Sequence, residues 1–93
     1  WIIAVENGHA IGFVALRDAG DCWWYDYEYV IPDRRRAGVF IALASERERI
    51  VAKRGKRPVR IAVKERRWRH YEKRGFKVQS RRGSWIYGIR EAF

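Results

Sequence analysis

Hydrophobic and polar residues alternate along the first third of the chain in a pattern that predicts β-strands. Two apolar runs within residues 1–16 are joined by Asn7-Gly8, a dipeptide that suits the type I′ turn of a β-hairpin. After a short turn at residues 18–22, the aromatic-rich segment 23–31 predicts a third strand. Strict alternation places Trp23, Tyr25, Tyr27, Tyr29 and Ile31 on one face and Trp24, Asp26, Glu28 and Val30 on the other.

The spacing of the apolar residues changes to a helical period from about Val39. Basic residues followed by Gly55 are typical of a helix C-terminus, so this helix is expected to end near Arg54. The rest of the chain predicts a strand over 58–63, a helix over 65–74, a strand from 76, a turn over 81–84 and a strand over 85–89. The order βββ-α-β-α-ββ predicts an α/β fold, with a central mixed sheet and helices packed on it.

A run of three arginines lies where a sheet of this kind binds ligands. Strands 23–31 and 58–63 are linked through a helix, a connection that makes them parallel neighbours. Ligands of such sheets bind at the carboxyl end of a strand, beside the N-terminus of the following helix. Arg34, Arg35 and Arg36 lie at this point. Because positive charge opposes the positive end of the helix dipole, the run indicates a bound anion.

Length and charge restrict the organisation of the chain. Its 93 residues carry a net charge of +10 and are expected to form a single domain, residues 1–93. Because the first residue lies inside a predicted strand, this domain is expected to be N-terminally incomplete. Residues 1–33 have a net charge of −5 and residues 34–93 one of +15. The basic part suits a polyanion or a multiply charged cofactor, whereas the acidic part suits a cationic partner.

The sequence also limits where the protein works and what it binds. No apolar run approaches the ~18 residues of a membrane span, so no membrane association is expected. Cys22 is the only cysteine, which excludes an intrachain disulfide and favours a cytoplasmic location. Two separate histidines and one cysteine do not make a metal site, and no metal is expected. His70 is expected on the surface of its helix.

Two segments resemble the motifs of a known family. The stretch YVIPDRRRAGVFIAL is similar to the acetyl-CoA motif of the GNAT superfamily of N-acetyltransferases, and HYEKRGF resembles a second block of that family. The positions on the first pattern are Val30, Pro32, Arg35 and Gly38. The strand order matches the family from its second strand to its last, so the resemblance covers essentially the whole chain. The family's first strand and helical segment are absent, and the sheet edge and apolar surface this would expose favour a homodimer.

The resemblance implies that the cofactor is acetyl-CoA (coenzyme A). Backbone N–H groups of the turn before the helix would bind its pyrophosphate, and Gly38 would let the backbone approach closely. Arginine side chains would add charge-assisted hydrogen bonds, and the acetyl group would lie beside the end of the strand. The residues implied in cofactor binding are Val30, Ile31, Arg35, Arg36, Ala37, Gly38, Val39 and Phe40.

The same resemblance implies acetyl transfer to a primary amine, on a small molecule or a peptide. Tyr71 would be the acid that protonates the departing thiolate, and Glu28 or Asp26 the base or a carboxylate that binds a cation. The alternative for Tyr71 is a core aromatic packed against Trp68. For each of the two carboxylates the alternative is a solvent-facing strand position. The acidic first third of the chain favours a cationic acceptor.

Two features support a different interpretation. Phe40 stands where the family has Gly or Ala, and its ring would either crowd the pyrophosphate or turn into the core; in the first case the domain would have lost catalysis. The basic segment 34–93 also interleaves aromatic residues with bases. This pattern is the basis of an alternative function, a non-catalytic domain that binds nucleic acid or another polyanion.

Overall fold

The computed structural model of the chain describes residues 1–91 and shows six strands and two α-helices within them. The elements are β1 (Ile2–Glu6), β2 (His9–Asp18), β3 (Trp23–Val30), α1 (Val39–Arg54), β4 (Val59–Lys64), α2 (Glu65–Glu72), β5 (Lys77–Arg82) and β6 (Trp85–Arg90). A single turn of 3-10 helix, Pro32–Arg34, lies between β3 and α1. The predicted order is confirmed, and the predicted element ends lie within two residues of those observed. No helix among residues 1–91 is long and apolar enough to cross a membrane.

The six strands form one mixed sheet in the order β1-β2-β3-β4-β6-β5. Neighbouring strands are antiparallel except β3 and β4, which are parallel. Helix α1 forms the crossover between these two strands, which confirms the predicted parallel pair. The α/β fold expected from the sequence, a mixed sheet with helices packed on it, is therefore observed.

Strands β3 and β4 separate towards their carboxyl ends. Their pairing covers only Trp23–Tyr25 and Val59–Ile61. Beyond Tyr25, β3 continues to Val30 beside β2, but it has no strand partner on its β4 side within the described residues. We call the gap between residues 26–30 of β3 and 62–64 of β4 the strand split. The backbone groups along this gap are free of a neighbouring strand and open to other hydrogen-bonding partners.

A β-bulge in β3 changes the faces on which its side chains lie. Val14 of β2 pairs with Glu28, whereas Leu16 pairs with Tyr25, so three steps along β3 match two along β2. Glu28 consequently lies on the same face as Tyr25, and Tyr29 lies on the opposite face. The prediction that the alternating aromatic side chains share one face is wrong, because strict alternation does not continue through a bulge.

The core lies on the one face of the sheet that both helices cover. Its main cluster contains Trp23, Tyr25, Val51, Val59, Ile61, Val63, Trp68, Tyr71, Phe76 and Ile86. A second cluster, beneath the start of α1, contains Val14, Val30 and Leu43. We call the opposite face the open face, and its exposed apolar side chains include Trp1, Ile3, Tyr27, Tyr29 and Trp85. The homodimer predicted from such a surface stays a prediction.

Candidate functional site

The turn between β3 and α1 presents backbone N–H groups at the carboxyl end of β3. Arg36 and Gly38 have φ angles of 68° and 81°, so the chain passes through two left-handed positions before α1 begins at Val39. Glycine adopts this conformation without a steric cost, which accounts for Gly38. No described side chain caps the start of this helix. The N–H groups of the first turn of α1, which lack acceptors within the helix, are therefore available to an anion.

The three arginines of this turn have different partners. Arg34 Nε donates to Glu6 Oε1 at 2.9 Å, which ties the turn to β1. Arg35 Nε donates to the Val30 carbonyl oxygen at 3.0 Å. Arg36 is exposed and forms no ion pair in the part of the chain that the structure describes. Arg35 and Arg36 thus have guanidinium groups free of a carboxylate, whereas Arg34 is held by one.

A groove of about 280 Å³, which we call the arginine groove, runs along this turn. Its walls come from the end of β3, the turn, the start of α1 and one side chain of α2. Among the residues lining it are Tyr29, Val30, Arg35, Arg36, Gly38 and Phe40. The groove therefore brings together five of the eight residues predicted to bind the cofactor.

The other three predicted cofactor residues lie beside the arginine groove. Ile31 continues the sheet, since its N–H donates to the carbonyl oxygen of Ile11 at 2.9 Å. Val39 packs against the second core cluster. Ala37 is exposed on the turn between two left-handed residues. Ile31 and Val39 thus have structural contacts, and any contribution of these three residues to an anion site would come from their backbone.

A larger groove, of about 560 Å³, lies at the strand split and opens on the open face; we call it the split groove. It shares Tyr29, Arg35 and Arg67 with the arginine groove, so the two grooves adjoin at the end of β3. Its lining includes five aromatic rings and two carboxylates: Trp24, Tyr25, Tyr27, Tyr29, Trp85, Asp26 and Glu28. A ligand could therefore run from the helix N-terminus, through the strand split, to the open face.

A buried polar network lies beneath the strand split. Tyr71 Oη donates to Glu28 Oε2, and Arg47 Nη2 donates to the same carboxylate oxygen at 3.3 Å and to Tyr71 Oη at 3.0 Å. Arg67 Nη1 donates to Glu28 Oε1 at 3.1 Å. The Arg47 guanidinium is fully buried, lies 3.9 Å from the centre of the Tyr25 ring and also donates to a β2 carbonyl oxygen. One carboxylate thus receives hydrogen bonds from two arginines and a tyrosine.

Burial beneath the strand split keeps Tyr71 protonated. Burial raises the pKa of Tyr71 well above its ordinary value, and the negative charge of Glu28 acts in the same direction. The positive charge of Arg47 opposes both effects without overcoming them. The hydroxyl is therefore neutral at physiological pH and has a proton to donate.

Comparison with known proteins identifies the family. The sequence model described as the acetyltransferase (GNAT) family matches residues 1–76. The chain belongs to this family. A comparison with curated protein sequences found no match.

Solved structures of two N-acetyltransferases have the same fold as this chain. One is the PaiA N-acetyltransferase from Thermoplasma acidophilum in complex with coenzyme A, with 25% identity, a TM-score of 0.83, and 96% of this chain and 58% of that chain covered. Another is the ribosomal-protein-S18-alanine N-acetyltransferase from Escherichia coli, with 23% identity and a TM-score of 0.84. This match covers 95% of the present chain and 65% of the Escherichia coli chain. The chain therefore spans less than two thirds of the length of either protein.

Arg47 is the residue of this GNAT chain that the sequence interpretation missed. It lies four residues after Leu43 and four before Val51, both of which are buried on the inner face of α1. A helix face with this spacing is expected to be apolar throughout. A charged residue at such a position signals a buried polar partner, and here that partner is the Glu28–Tyr71 pair.

The two candidate carboxylates of the GNAT chain have different surroundings. Asp26 accepts a hydrogen bond from Arg17 Nε at 2.9 Å and belongs to the rim of the split groove. Glu28 is largely buried and forms the network with Tyr71. The structure therefore brings Tyr71 and Glu28 together but leaves Asp26 apart. Tyr71 is also a core aromatic, packed against Phe76 rather than paired only with Trp68.

Phe40 turns towards α2 rather than across the helix N-terminus. Its ring lies 4.8 Å from the centre of the His70 ring, and the Arg67 guanidinium lies 5.7 Å from its centre. The ring also packs against the second core cluster while lining the arginine groove. Of the two arrangements left open by the sequence, the ring adopts mainly the second, and it forms a side wall of the groove.

His70 lies between helices and not on the surface of α2 as expected. Its ring packs between those of Phe40 and Tyr71, and its Nε2 is buried without a hydrogen-bond partner in the described residues. Burial lowers the pKa of His70, and the positive charges of Arg74, Arg47 and Arg67 add to the effect, against the charge of Glu28. The imidazole is therefore neutral in the folded protein at physiological pH.

The lowered pKa of His70 predicts a loss of stability on mild acidification. Below about pH 6.5 the unfolded chain binds a proton at this histidine before the folded chain does, so the free energy of unfolding falls as the pH falls. Chemical denaturation at several pH values between 7.5 and 5 measures this decrease. In His70→Phe, which fills the same apolar space without a titrating group, the decrease should be smaller. An identical pH dependence in both proteins would contradict the assignment to His70.

No three side chains of the types His, Cys, Asp and Glu come together as a metal site among residues 1–91. Cys22 is buried with a free thiol, and burial raises its pKa. These groups add no further chemistry to the two grooves.

Proposed function

We propose that this GNAT chain binds acetyl-CoA and takes part in transfer of the acetyl group to a primary amine. The observation that carries the proposal is the open turn around Gly38, where backbone N–H groups and two arginines without carboxylate partners meet at the end of β3. Family membership supports the same function. We also propose that residues 1–93 form a single domain.

The arginine groove is proposed to hold the pyrophosphate of coenzyme A. An anion there would accept hydrogen bonds from the N–H groups of Val39 and Phe40 and gain from the positive end of the α1 dipole. Arg35 and Arg36 would add charge-assisted hydrogen bonds. A Cβ atom at Gly38 would meet no protein atom within 4 Å, so the space in front of the turn is open to a ligand.

The strand split is proposed to hold the pantetheine arm. Pantetheine is an extended chain with amide groups, and β3 beyond Tyr25 has backbone N–H and carbonyl groups without a strand partner. Hydrogen bonds between the two would continue the sheet across the gap. An arm that runs from the arginine groove along β3 would carry the acetyl group away from Val30 and Ile31 and towards Glu28 in the strand split.

Acetyl-CoA supplies the thioester carbonyl that the amine nitrogen attacks. The amine must lose a proton and the thiolate must gain one, so the chain needs a proton acceptor and a proton donor. We assign Glu28 as the acceptor and Tyr71 as the donor. Because the two are hydrogen-bonded, a proton taken by Glu28 can restore the Tyr71 hydroxyl after its own proton has passed to sulfur. Asp26, at the rim of the split groove, is the second candidate for the acceptor.

Replacing Tyr71 by Phe is expected to lower the turnover number by at least tenfold, because the proton donor is removed while the ring remains. Affinity for acetyl-CoA, measured by calorimetry, should change by less than threefold, since Tyr71 is not among the residues that line the arginine groove, where the pyrophosphate would bind. Tyr87→Phe is the matched control, because this tyrosine lies on the open face outside both grooves. An unchanged turnover number in Tyr71→Phe would exclude the assigned role.

Calorimetric titration with acetyl-CoA at low and at moderate salt tests the proposed function, followed by thiol release in the presence of a panel of primary amines. Micromolar or tighter binding that survives moderate salt would support a site built on backbone N–H groups. Binding lost steeply with salt would indicate general attraction of a polyanion instead. Absence of binding at either salt concentration would overturn the proposal.

The alternative function, a basic domain that binds nucleic acid, is not proposed. Nine arginines form ion pairs with carboxylates within residues 1–91. Four of them, Arg34, Arg47, Arg57 and Arg67, pair with carboxylates of the first third, so part of the positive charge of segment 34–93 is compensated by the acidic segment.

A further inference from the structure

We propose that the amine acceptor carries an anionic group, such as a carboxylate, on an aromatic or apolar body, and that it binds in the split groove. The inference rests on the proposed function, because it takes the arginine groove and the strand split as the cofactor site and leaves the part of the split groove on the open face to the acceptor. It replaces the cationic acceptor expected from the acidic first third of the chain.

Four of the six carboxylates of the first third are paired with arginines. The pairs are Glu6 with Arg34, Asp18 with Arg57, Asp26 with Arg17, and Glu28 with Arg47 and Arg67. The two carboxylates of the split groove are both in this set. A cationic acceptor would find no unpaired carboxylate among the residues that line the split groove, so the charge of this groove does not favour a cationic acceptor.

The split groove has an excess of positive charge. Its lining contains two carboxylates, Asp26 and Glu28, and both are paired. It also contains Lys64 and Arg66, which form no ion pair with any described residue. Lys64 Nζ donates to the hydroxyl of Ser84 at 3.0 Å, which leaves its charge uncompensated. An anionic group on the acceptor would supply the missing charge.

The body of the acceptor is indicated by the rings that line the split groove. Tyr27 is 64% exposed, and Tyr29 and Trp85 are each 42% exposed. Lys64 lies 4.7 Å from the centre of the Trp85 ring, so a cation and an apolar surface are presented together. A volume of about 560 Å³ suits a ligand with one aromatic ring and a short chain, since small-molecule sites are typically ~300–1,000 Å³.

The same charges would assist the reaction. An amine that enters a groove with excess positive charge has its pKa lowered, because its protonated form is repelled. A larger fraction is then the neutral amine, which is the form that attacks a thioester. A groove that binds the anionic end of the acceptor thus also favours the neutral, reactive form of its amine.

The test uses a matched pair of ligands, 4-(aminomethyl)benzoate and 4-methylbenzylamine, which differ only in a carboxylate and a methyl group. Their binding is followed by NMR through the indole N–H signals of Trp24 and Trp85. We expect the carboxylate ligand to bind at least tenfold more tightly at low salt, with the difference reduced at high salt. Equal binding, or tighter binding of 4-methylbenzylamine, would overturn the inference.

Charge variants of the chain locate the interaction. Lys64→Gln and Arg66→Gln should each lower the affinity for 4-(aminomethyl)benzoate at least threefold and leave the affinity for 4-methylbenzylamine unchanged. Lys73→Gln is the matched control, because it removes one exposed positive charge at the end of α2, outside the groove. An equal effect of all three variants would show attraction by net charge alone and overturn the site.

These measurements separate the inference from the proposed function. Ligand binding is read without acetyl-CoA, so it gives an answer whether or not acetyl transfer is observed. If acetyl-CoA binds and amines are acetylated but the two ligands bind equally, only the inference fails. If the carboxylate ligand is preferred but acetyl-CoA does not bind, only the proposed function fails.

Discussion

Gly38→Trp is expected to weaken acetyl-CoA binding at least a hundredfold while the chain stays folded. The indole would occupy the space in front of the N–H groups of α1, where the proposed pyrophosphate site lies. The left-handed φ of 81° adds a steric cost of about 1–2 kcal/mol to the folded state, which a folded domain of this size tolerates. Calorimetric titration measures the affinity, and circular dichroism shows whether the fold is retained.

The chain offers a matched control for this substitution at Gly8. This glycine has a φ of 80° in the β1–β2 turn, and a Cβ atom there would meet no protein atom within 4 Å, as at Gly38. Gly8→Trp therefore imposes the same backbone cost away from both grooves and should bind acetyl-CoA as the natural chain does. Equal affinities in Gly38→Trp and Gly8→Trp would remove the turn from the cofactor site.

Arg47→Ala is expected to lower the free energy of unfolding by about 3–5 kcal/mol, because it opens a cavity and deprives Glu28 of a buried partner. For a chain of this length, such a loss lowers the melting temperature by roughly 15 °C or more. Thermal and chemical denaturation measure both quantities. The position is fully buried, so relaxation of the surrounding core around the cavity would be limited.

Two further variants separate charge from packing at this position. Arg47→Met keeps an apolar stem against the Tyr25 ring, so its instability relative to the natural chain reports the lost hydrogen bonds. Arg49→Ala removes an exposed arginine from the same helix and should leave the melting temperature nearly unchanged. If Arg47→Ala were no less stable than Arg49→Ala, the buried network would have no measurable role in stability.

The element order and the ligand-binding edge of the sheet were predictable because they depend on local patterns. Each of the signals used is contained in a few neighbouring residues. These signals are the turn dipeptide Asn7-Gly8, the change to a helical period at Val39 and the glycine after α1. The position of Gly38 at the carboxyl end of β3 follows from the crossover, which has a strongly preferred geometry. The arginine groove therefore contains most of the residues assigned to it from the sequence.

The buried network was not predictable in the same way, because it depends on a bulge. The extra residue in β3 cannot be recognised from alternation alone, and strict alternation, which ignores the bulge, places Glu28 on the opposite face from Tyr25. The partner of Glu28, Arg47, is 19 residues away along the chain. Pairing of four carboxylates of the first third with arginines is likewise a tertiary property, which the net charge of a segment does not show.

The bulge in β3 also determines how this strand tolerates changes in its length. Deleting one of the two residues between Tyr25 and Glu28 would leave two steps of β3 opposite the two steps from Val14 to Leu16 on β2. Glu28 would stay paired with Val14 on the inner face, and the network beneath the strand split would keep its carboxylate. The open face would lose the side chain of Asp26 or Tyr27, both of which line the split groove. A one-residue gap at this point in an aligned relative would therefore mark a protein with the same buried network and a different lining of the split groove.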